Sequence, residues 1–266
     1  MRFKGAVLGV AGLAAVLGIV VFGGAAVGVG PLAATTPPDK VTDPREMVAR
    51  SLQAVLDATA VHLDATLTGT LAGAVLDRPE AQIDLAGTVA EGDIRPKDAK
   101  TRAHIASGPL GVELDTVTIW DGVWYRTGAD APWTKASAGG AAAQAGVDIN
   151  PLTLVDRLRS YLARPDLAPV VTDVACASTS GRCHRVVIDA GSDPGSTLAA
   201  MLPVERQATF PEVTTTLTLD TDSLTLRPSR IVMDVASEDG TVDLHLVVDA
   251  SRWDEELVIA EPSAGS

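Results

Sequence analysis

Apolar and polar residues alternate one by one along much of this chain, and a period of two predicts β-strands with one dry and one wet face. Thr, Asp, Arg and His occupy the positions between the apolar ones, which is typical of antiparallel rather than parallel sheets. We therefore expect about ten short strands in one antiparallel sheet. The clearest examples are Leu63, Ala65 and Leu67; Ile83 and Leu85; Val117 and Ile119; Val186 and Ile188; Leu217 and Leu219; Ile231, Met233 and Val235; and Leu244, Leu246 and Val248.

One segment, 119–135, has the sequence IWDGVWYRTGADAPWTK and holds three of the four tryptophans of the chain. Asp121-Gly122 lies between two apolar arms and predicts a two-residue type I′ turn that joins two strands. Simple alternation separates Trp120 and Trp124 from a second set, which contains Ile119, Val123 and Tyr125. The rings fill a core or line a ligand cavity, and alternation alone leaves both interpretations open.

Three helices are predicted, each opened by a polar residue that is followed by proline. The pairs are Asp43-Pro44, Asn150-Pro151 and Asp193-Pro194. The first helix carries an apolar stripe of Val48, Leu52, Val55, Leu56 and Thr59. The second carries Leu154, Val155, Leu158 and Leu162, and the third carries Leu198, Met201 and Leu202 before Pro203.

The first 34 residues read as an export signal or membrane anchor. Arg2 and Lys4 precede an uncharged apolar run over residues 5–34, which is longer than the roughly 20 residues that span a bilayer. We favour an uncleaved anchor, although cleavage within 24–26 or 32–34 stays open. Either way the remainder lies outside the cytoplasm. Residues 35–42 form a short linker, 43–262 one domain and 263–266 a tail.

The formal net charge is −13. Such a surface repels nucleic acid, so we expect no nucleic-acid partner. An acidic balance is also a common means of staying soluble, and it identifies no partner by itself. We expect a monomer.

The two cysteines, Cys176 and Cys183, flank a turn-rich stretch between two strand-like runs. A hairpin there brings them within bonding range, which predicts a disulfide in an oxidising compartment. A metal site with His184 is the alternative. Two thiols and one imidazole without a second cluster fall short of four ligands, so the disulfide is favoured.

No catalytic motif is present, neither a nucleophile elbow nor a zinc-protease helix nor a phosphate-binding glycine loop. The four histidines fall singly, at 62, 104, 184 and 245, and read as surface or half-buried strand residues. We therefore expect no enzyme, no cofactor and no metal, although an unfamiliar hydrolase would look the same.

Four short signatures follow one another along the chain. They are Ala60-Val-His62-Leu63; Ile119-Trp-Asp-Gly-Val-Trp-Tyr125 with Trp133-Thr-Lys135; Ile149-Asn-Pro151; and Ser251-Arg-Trp253-Asp-Glu-Glu-Leu-Val-Ile-Ala-Glu-Pro262. In this order they resemble the LppX/LprAFG family of actinobacterial envelope lipoproteins, whose fold is like that of the lipoprotein carrier LolA. The resemblance spans roughly residues 43–262.

The resemblance implies an α+β fold, in which a strongly curved antiparallel half-barrel carries about three helices on its concave face. It also implies an apolar cavity for acyl chains and non-catalytic carriage of a lipid or glycolipid in the cell envelope. One feature departs from the family. Its members carry a lipid-modified cysteine after the signal peptide, and no cysteine lies near residues 20–40 here. An anchor or a released form must replace that tether.

We predict that the cavity is lined by apolar positions of the strands and by two helix residues. The predicted lining is Leu63, Ala65, Leu67, Ile83, Leu85, Val117, Ile119, Val123, Tyr125, Leu158, Val186, Ile188, Met201, Leu217, Leu219, Met233, Leu244 and Leu246. A register error of one residue would exchange the two faces of a strand. The alternative function is an envelope module without a cavity that scaffolds or sequesters a partner.

Overall fold

A computed structural model describes residues 37, 40–76, 80–120, 122–137, 167–177, 181–193 and 211–263. These parts contain the helix α1 (Pro44–Asp57) and twelve strands of one antiparallel sheet. The strands are β1 (Val61–Ala72), β2 (Gln82–Asp84), β3 (Thr88–Arg95), β4 (Lys100–Ser107), β5 (Val112–Ile119), β6 (Gly122–Thr127), β7 (Thr134–Ser137), β8 (Val170–Ala175), β9 (Arg182–Asp193), β10 (Val213–Asp222), β11 (Pro228–Ser237) and β12 (Val242–Ser251).

The sheet has the strand order β7-β6-β5-β4-β3-β1-β12-β11-β10-β9-β8, and β2 pairs with β1 off this path. Most neighbours are consecutive hairpin strands. Two pairs are not consecutive: β1 with β3, since β2 lies between them in the sequence, and the central pair β1 with β12, which joins the two halves of the sequence. The predicted antiparallel sheet is confirmed in these parts, whereas the half-barrel curvature stays a prediction.

Helix α1 begins where the sequence predicts. The Asp43 side chain caps it by accepting a hydrogen bond of 2.9 Å from the amide of Arg45, and Pro44 takes the first turn, where no amide partner is needed. The helix ends at Asp57, so Thr59 lies beyond it and is exposed. Its buried side consists of Met47, Val48, Ser51, Leu52 and Val55.

The predicted anchor over 1–34 and the helices predicted after Asn150 and Asp193 lie outside the described residues. Within the part that the structure describes, no helix combines the length and apolar character needed to cross a bilayer.

The sheet has two faces that differ in chemistry. The helix face carries Leu63, Ala65 and Leu67 with their register partners and packs against α1. There, buried Ser51 of α1 donates a hydrogen bond of 2.8 Å to the carbonyl of Leu226. The open face carries His62 and its register partners. The main apolar core therefore lies between α1 and β1, β9, β10, β11 and β12.

A second, smaller apolar cluster lies on the open face. Val117, Trp124 and Ile259 are buried there, with Ile119 and Trp133 against them. Ile259 belongs to the segment 252–263, which crosses from the end of β12 towards β7. This segment is held by the amide of Asp254, which donates to the carbonyl of Ala60, and by Arg95 Nη1, which donates to the carbonyl of Leu257 at 3.2 Å.

The hairpin of β5 and β6 differs from its prediction by one residue. Ile119 pairs with Gly122, so the turn lies between these two residues, and Trp120 takes a φ of 56°. Gly122 is a strand residue instead of a turn residue. A side chain at Gly122 would meet the Trp124 ring at 2.6 Å, so the glycine leaves room for that ring.

The disulfide predicted from the spacing is present. Cys176 and Cys183 are buried and bonded, with their Cα atoms 5.0 Å apart across the β8–β9 turn. Replacing both cysteines by serine is expected to lower the free energy of unfolding by about 2.5 kcal/mol, the loop-closure entropy of so short a ring. Urea unfolding of the oxidised protein and the double variant measures this loss. Equal midpoints would show that the bond adds nothing to the hairpin.

The turn between β11 and β12 depends on Asp239. Its carboxylate accepts hydrogen bonds from the Ser237 and Thr241 hydroxyls, 2.7 Å each, and from the Thr241 amide at 3.0 Å. The Thr241 hydroxyl, then the Ser237 hydroxyl and the backbone, lower the pKa of Asp239 from 3.8 to about 2.

Because the folded pKa is the lower one, Asp239 stabilises the fold fully above pH 4 and loses this effect as the pH falls towards 2. NMR titration is expected to place the midpoint of its carboxyl near 2. Asp239→Asn is expected to lower stability at neutral pH and to flatten the acid dependence between pH 4 and 2. A carboxyl that titrates near 3.8 would contradict the turn geometry.

Candidate functional site

The strand register places most of the predicted lining on the helix face. Leu85, just beyond β2, is buried in the main core as well. The helix-face residues of the prediction are Leu63, Ala65, Leu67, Ile83, Val123, Tyr125, Val186, Ile188, Leu217, Leu219, Met233, Leu244 and Leu246. Leu158 and Met201 lie outside the described residues. Whether these positions line a cavity remains a prediction.

Two residues of the prediction, Val117 and Ile119, lie on the open face, opposite to the other strand residues of the prediction. Val117 lies opposite Trp124, and both belong, with Ile119, to the cluster on the open face. The prediction carried the alternation straight through the turn. In a hairpin with a two-residue turn, residue i pairs with i+3, so even positions of one strand share a face with odd positions of the other. Val117 and Ile119 therefore cannot line one cavity with Val123 and Tyr125.

Helix α1 is too short to cover the helix face. The eleven strands of the main path, spaced about 4.8 Å apart, are roughly 48 Å across, whereas a helix of 14 residues that crosses them is about 21 Å long. Helix α1 contacts β9, β10, β11 and the 96–98 turn. Within the described residues, the apolar side chains on the helix face of β4, β5 and β6 join neither apolar cluster. Ala103, Ile105 and Val123 are nevertheless buried, whereas Leu114 and Tyr125 are half-buried.

Several apolar residues of the helix face are only half-buried, and their positions span both halves of the sheet. They are Ile83, Leu114, Tyr125, Leu217 and Met233. Ile83, Leu217 and Met233 pack at the margin of the main core. These side chains keep apolar surface that is not fully enclosed by the protein, so they form the candidate site for an apolar ligand.

The open face carries a row of charged residues, each directly opposite the next across nine strands. From β9 to β6 this charged row is Arg185, Asp220, Arg230, Asp249, Asp64, Glu91, His104, Asp115 and Arg126. Asp220 and Asp249 each accept two hydrogen bonds from an arginine, at 2.7 to 2.8 Å. The row thus forms cross-strand ion pairs at its two ends, whereas Asp249, Asp64 and Glu91 in its middle are neighbours of like charge.

Each of the four histidines pairs with an aspartate directly opposite it on the neighbouring strand. The Nδ1 to Oδ1 distances are 2.7 Å for His62 with Asp93, 2.8 Å for His104 with Asp115, 2.8 Å for His184 with Asp173 and 2.6 Å for His245 with Asp234. Three of these pairs are 11 residues apart in the sequence. This recurring spacing is the sequence signal from which the aspartate partners could have been predicted. The prediction of half-buried or surface strand histidines missed these partners.

Asp115 is the most engaged of these acids, because it also accepts a hydrogen bond of 2.6 Å from Arg126. Burial alone would raise the pKa of Asp115, but the hydrogen bonds from His104 and Arg126 outweigh it, and the pKa is lowered. The carboxylate thus stays charged and holds three strands together.

A shallow groove of about 420 Å³ lies on the open face over β1, β3, β4, β5 and β6. Its walls carry charges of both signs. Such walls suit a polar ligand and not an acyl chain. Within the described parts, no three His, Cys, Asp or Glu side chains are placed to hold a metal ion. The lining is His62, Glu91, Gly92, Asp93, Arg102, Ala103, His104, Glu113, Asp115, Arg126 and Ala129.

Comparison with known proteins gives only distant likenesses. No family model matches the sequence, and no curated protein matches it. The lipoprotein LppX of Mycobacterium tuberculosis is similar in structure, with 14% identity over 82% of this chain and 98% of that chain and a TM-score of 0.45.

Two other solved structures are similar at lower TM-scores. A chain of the Pseudomonas aeruginosa MucA/MucB complex shares 13% identity over 79% of this chain and 57% of that chain, with a TM-score of 0.36. The LolA superfamily protein NE2245 of Nitrosomonas europaea shares 10% identity over 82% and 96% of the two chains, with a TM-score of 0.31. Because all these TM-scores are below 0.5, we draw no inference about this chain from them.

Proposed function

We propose that this protein binds the acyl part of a lipid or glycolipid on the helix face of its sheet and carries it in the cell envelope without catalysis. One observation supports this most: the apolar face is roughly 48 Å wide, the one helix in the described residues spans about 21 Å of it, and half-buried apolar side chains lie on both halves, namely Leu114, Tyr125, Leu217 and Met233. The sequence resemblance to envelope lipid carriers agrees with it. The protein is proposed to act as an extracytoplasmic monomer, with its N-terminal segment in the membrane.

Burial of acyl chains provides the binding energy. Each methylene group removed from water contributes about 0.8 kcal/mol, so roughly ten methylenes offset the cost of immobilising the ligand without any polar contact. Specificity then comes from the volume and shape of the apolar surface and from a few polar groups at its margin. The charged groove on the open face takes no part in this binding.

A pair of matched variants tests which face binds the ligand. Leu217 is half-buried on the helix face of β10, and Val232 is half-buried on the open face of the adjacent strand β11. Leu217→Gln is expected to weaken binding of a fluorescent fatty acid to the full chain about tenfold, because a polar amide replaces an apolar contact. Val232→Gln is expected to leave binding unchanged.

The readout is the dissociation constant from a fluorescence titration, together with the lipid extracted from each purified variant and identified by mass spectrometry. Both variants keep the N-terminal apolar run, so any probe bound there contributes equally. Equal affinities, or a loss with Val232→Gln alone, would contradict binding on the helix face. Circular dichroism of both variants shows whether the sheet is intact.

A further inference from the structure

Two large apolar side chains project into solvent at one end of the sheet. Trp120, in the β5–β6 turn, and Leu224, in the β10–β11 turn, are each 70% exposed. The register places both turns at the same end, with the 96–99 turn and the disulfide hairpin. Of the other large apolar residues exposed in the described parts, Val89 and Val170 lie within strands and Val258 within the 252–263 segment.

Both side chains are held outward by well-formed turns. The Asp222 carboxylate accepts hydrogen bonds from the amides of Leu224 and Thr225, at 3.0 and 2.8 Å, and from the Thr225 hydroxyl at 2.9 Å. Two residues later Leu226 is buried in the main core. The turn therefore anchors one leucine inside and fixes the other in solvent.

Trp120 occupies its position at a conformational cost. Its φ of 56° lies in the left-handed region, which favours glycine and asparagine and costs a bulky residue roughly 1–2 kcal/mol. Its amide donates a hydrogen bond of 3.0 Å to the carbonyl of Ala99, which ties the turn to the 96–99 turn and its exposed Lys97. Ala99, Leu226, Arg252 and Asp254 also have positive φ, so it is the exposure of the Trp120 ring and not its backbone that core packing leaves unexplained.

The spacing of the two side chains indicates the kind of partner. Between β5 and β11 lie four strands, so the centres of the two turns are six strand spacings, or about 29 Å, apart along the sheet. Protein interfaces concentrate their binding energy in a contiguous central patch, which two isolated side chains so far apart do not form. A bilayer surface is flat and deformable and accepts separate contacts. Tryptophan is enriched at its interface, and leucine enters its apolar layer.

We propose that this end of the sheet docks on a lipid bilayer, with Trp120 and Leu224 entering the interface. The inference extends the proposed carriage of lipid, since a carrier must meet a membrane. Its readout is the part of the quenching that depends on Trp120, which is measured separately from the titration that reports lipid bound on the helix face.

The test uses the full chain reconstituted in phosphatidylcholine vesicles whose acyl chains carry bromine, which quenches tryptophan fluorescence on contact. None of the four tryptophans lies in residues 1–34. Quenching is expected in the wild type, and Trp120→Phe is expected to remove at least half of the quenched fraction. Trp133→Phe is the matched control, because Trp133 packs against the Arg126 guanidinium, 4.9 Å from it, and is only half-exposed; it is expected to leave quenching unchanged.

A second variant tests the other contact. Leu224→Asp is expected to reduce the quenching of Trp120 at least twofold, whereas Val89→Asp, at an exposed strand position, leaves it unchanged. Absence of quenching in the wild type, or equal quenching in wild type and Trp120→Phe, would overturn the proposal. The two exposed side chains would then be assigned to contact with a protein instead of a bilayer. The probe titration of the Leu217→Gln variant reports lipid carriage separately, so the two proposals can fail independently.

Discussion

Gly69→Ala is expected to destabilise the protein by more than about 4 kcal/mol, or to prevent folding. Gly69 lies in β1 opposite Leu244 of β12, with a φ of 113°. A Cβ atom there would lie 2.0 Å from the backbone carbonyl oxygen of Asp243. Because that atom belongs to the backbone of the paired strand, only separation of β1 and β12 relieves the overlap.

Gly87→Ala is the matched control for Gly69→Ala. Gly87 has a φ of 83°, and a Cβ atom there would meet nothing within 4 Å. Only the strain of the left-handed backbone remains, so a loss of about 1 kcal/mol is expected. Urea unfolding followed by circular dichroism measures both variants. Losses of similar size would show that the close approach of β1 and β12 is not what requires Gly69.

Arg185→Ala is expected to lower the free energy of unfolding by about 3 kcal/mol, because it leaves a buried carboxylate without its main partner. The Asp220 side chain is only 1% exposed and accepts hydrogen bonds from Arg185 Nε and Nη2, each of 2.7 Å. Arg230, directly opposite Asp220 on β11, is engaged by Asp249 and compensates only in part. The hydrogen bonds with Asp220 also raise the pKa of Arg185.

Arg182→Ala is the matched control for Arg185→Ala. Its ion pair with Asp173 is 3.4 Å long and exposed on both sides, so a change below about 0.5 kcal/mol is expected. Adding Asp220→Asn to Arg185→Ala is expected to recover part of the loss, because the amide carries no buried charge. If Arg185→Ala and Arg182→Ala lower the free energy of unfolding equally, the burial of Asp220 does not determine how much its ion pair with Arg185 stabilises the protein.

Local signals in the sequence predicted the local features of this fold. The Asp43-Pro44 pair predicted where α1 begins, the alternation of Leu63, Ala65 and Leu67 with polar residues predicted a strand, and the cysteine spacing predicted the bonded hairpin. Each of these features depends on residues close together in the chain. The physical rules of capping, pleating and loop closure therefore apply directly.

Non-local features could not be predicted in this way. The faces of β5 and β6 depend on where the turn between them lies, and Asp121-Gly122 was the stronger turn signal, although Gly122 belongs to the strand. The burial of Trp124 under Ile259 depends on a segment from the far end of the chain. Gly69 carries no local sign that another backbone approaches it.

The central claim is that acyl chains bind on the helix face, and photocrosslinking tests it most directly. The full chain is incubated with a fatty acid that carries a diazirine on its acyl chain, illuminated and digested, and the modified residues are identified by mass spectrometry. Adducts are predicted at half-buried residues of the helix face, namely Leu114, Tyr125, Leu217 and Met233. Adducts confined to the open face or to residues 5–34, or no adducts at all, would contradict the claim.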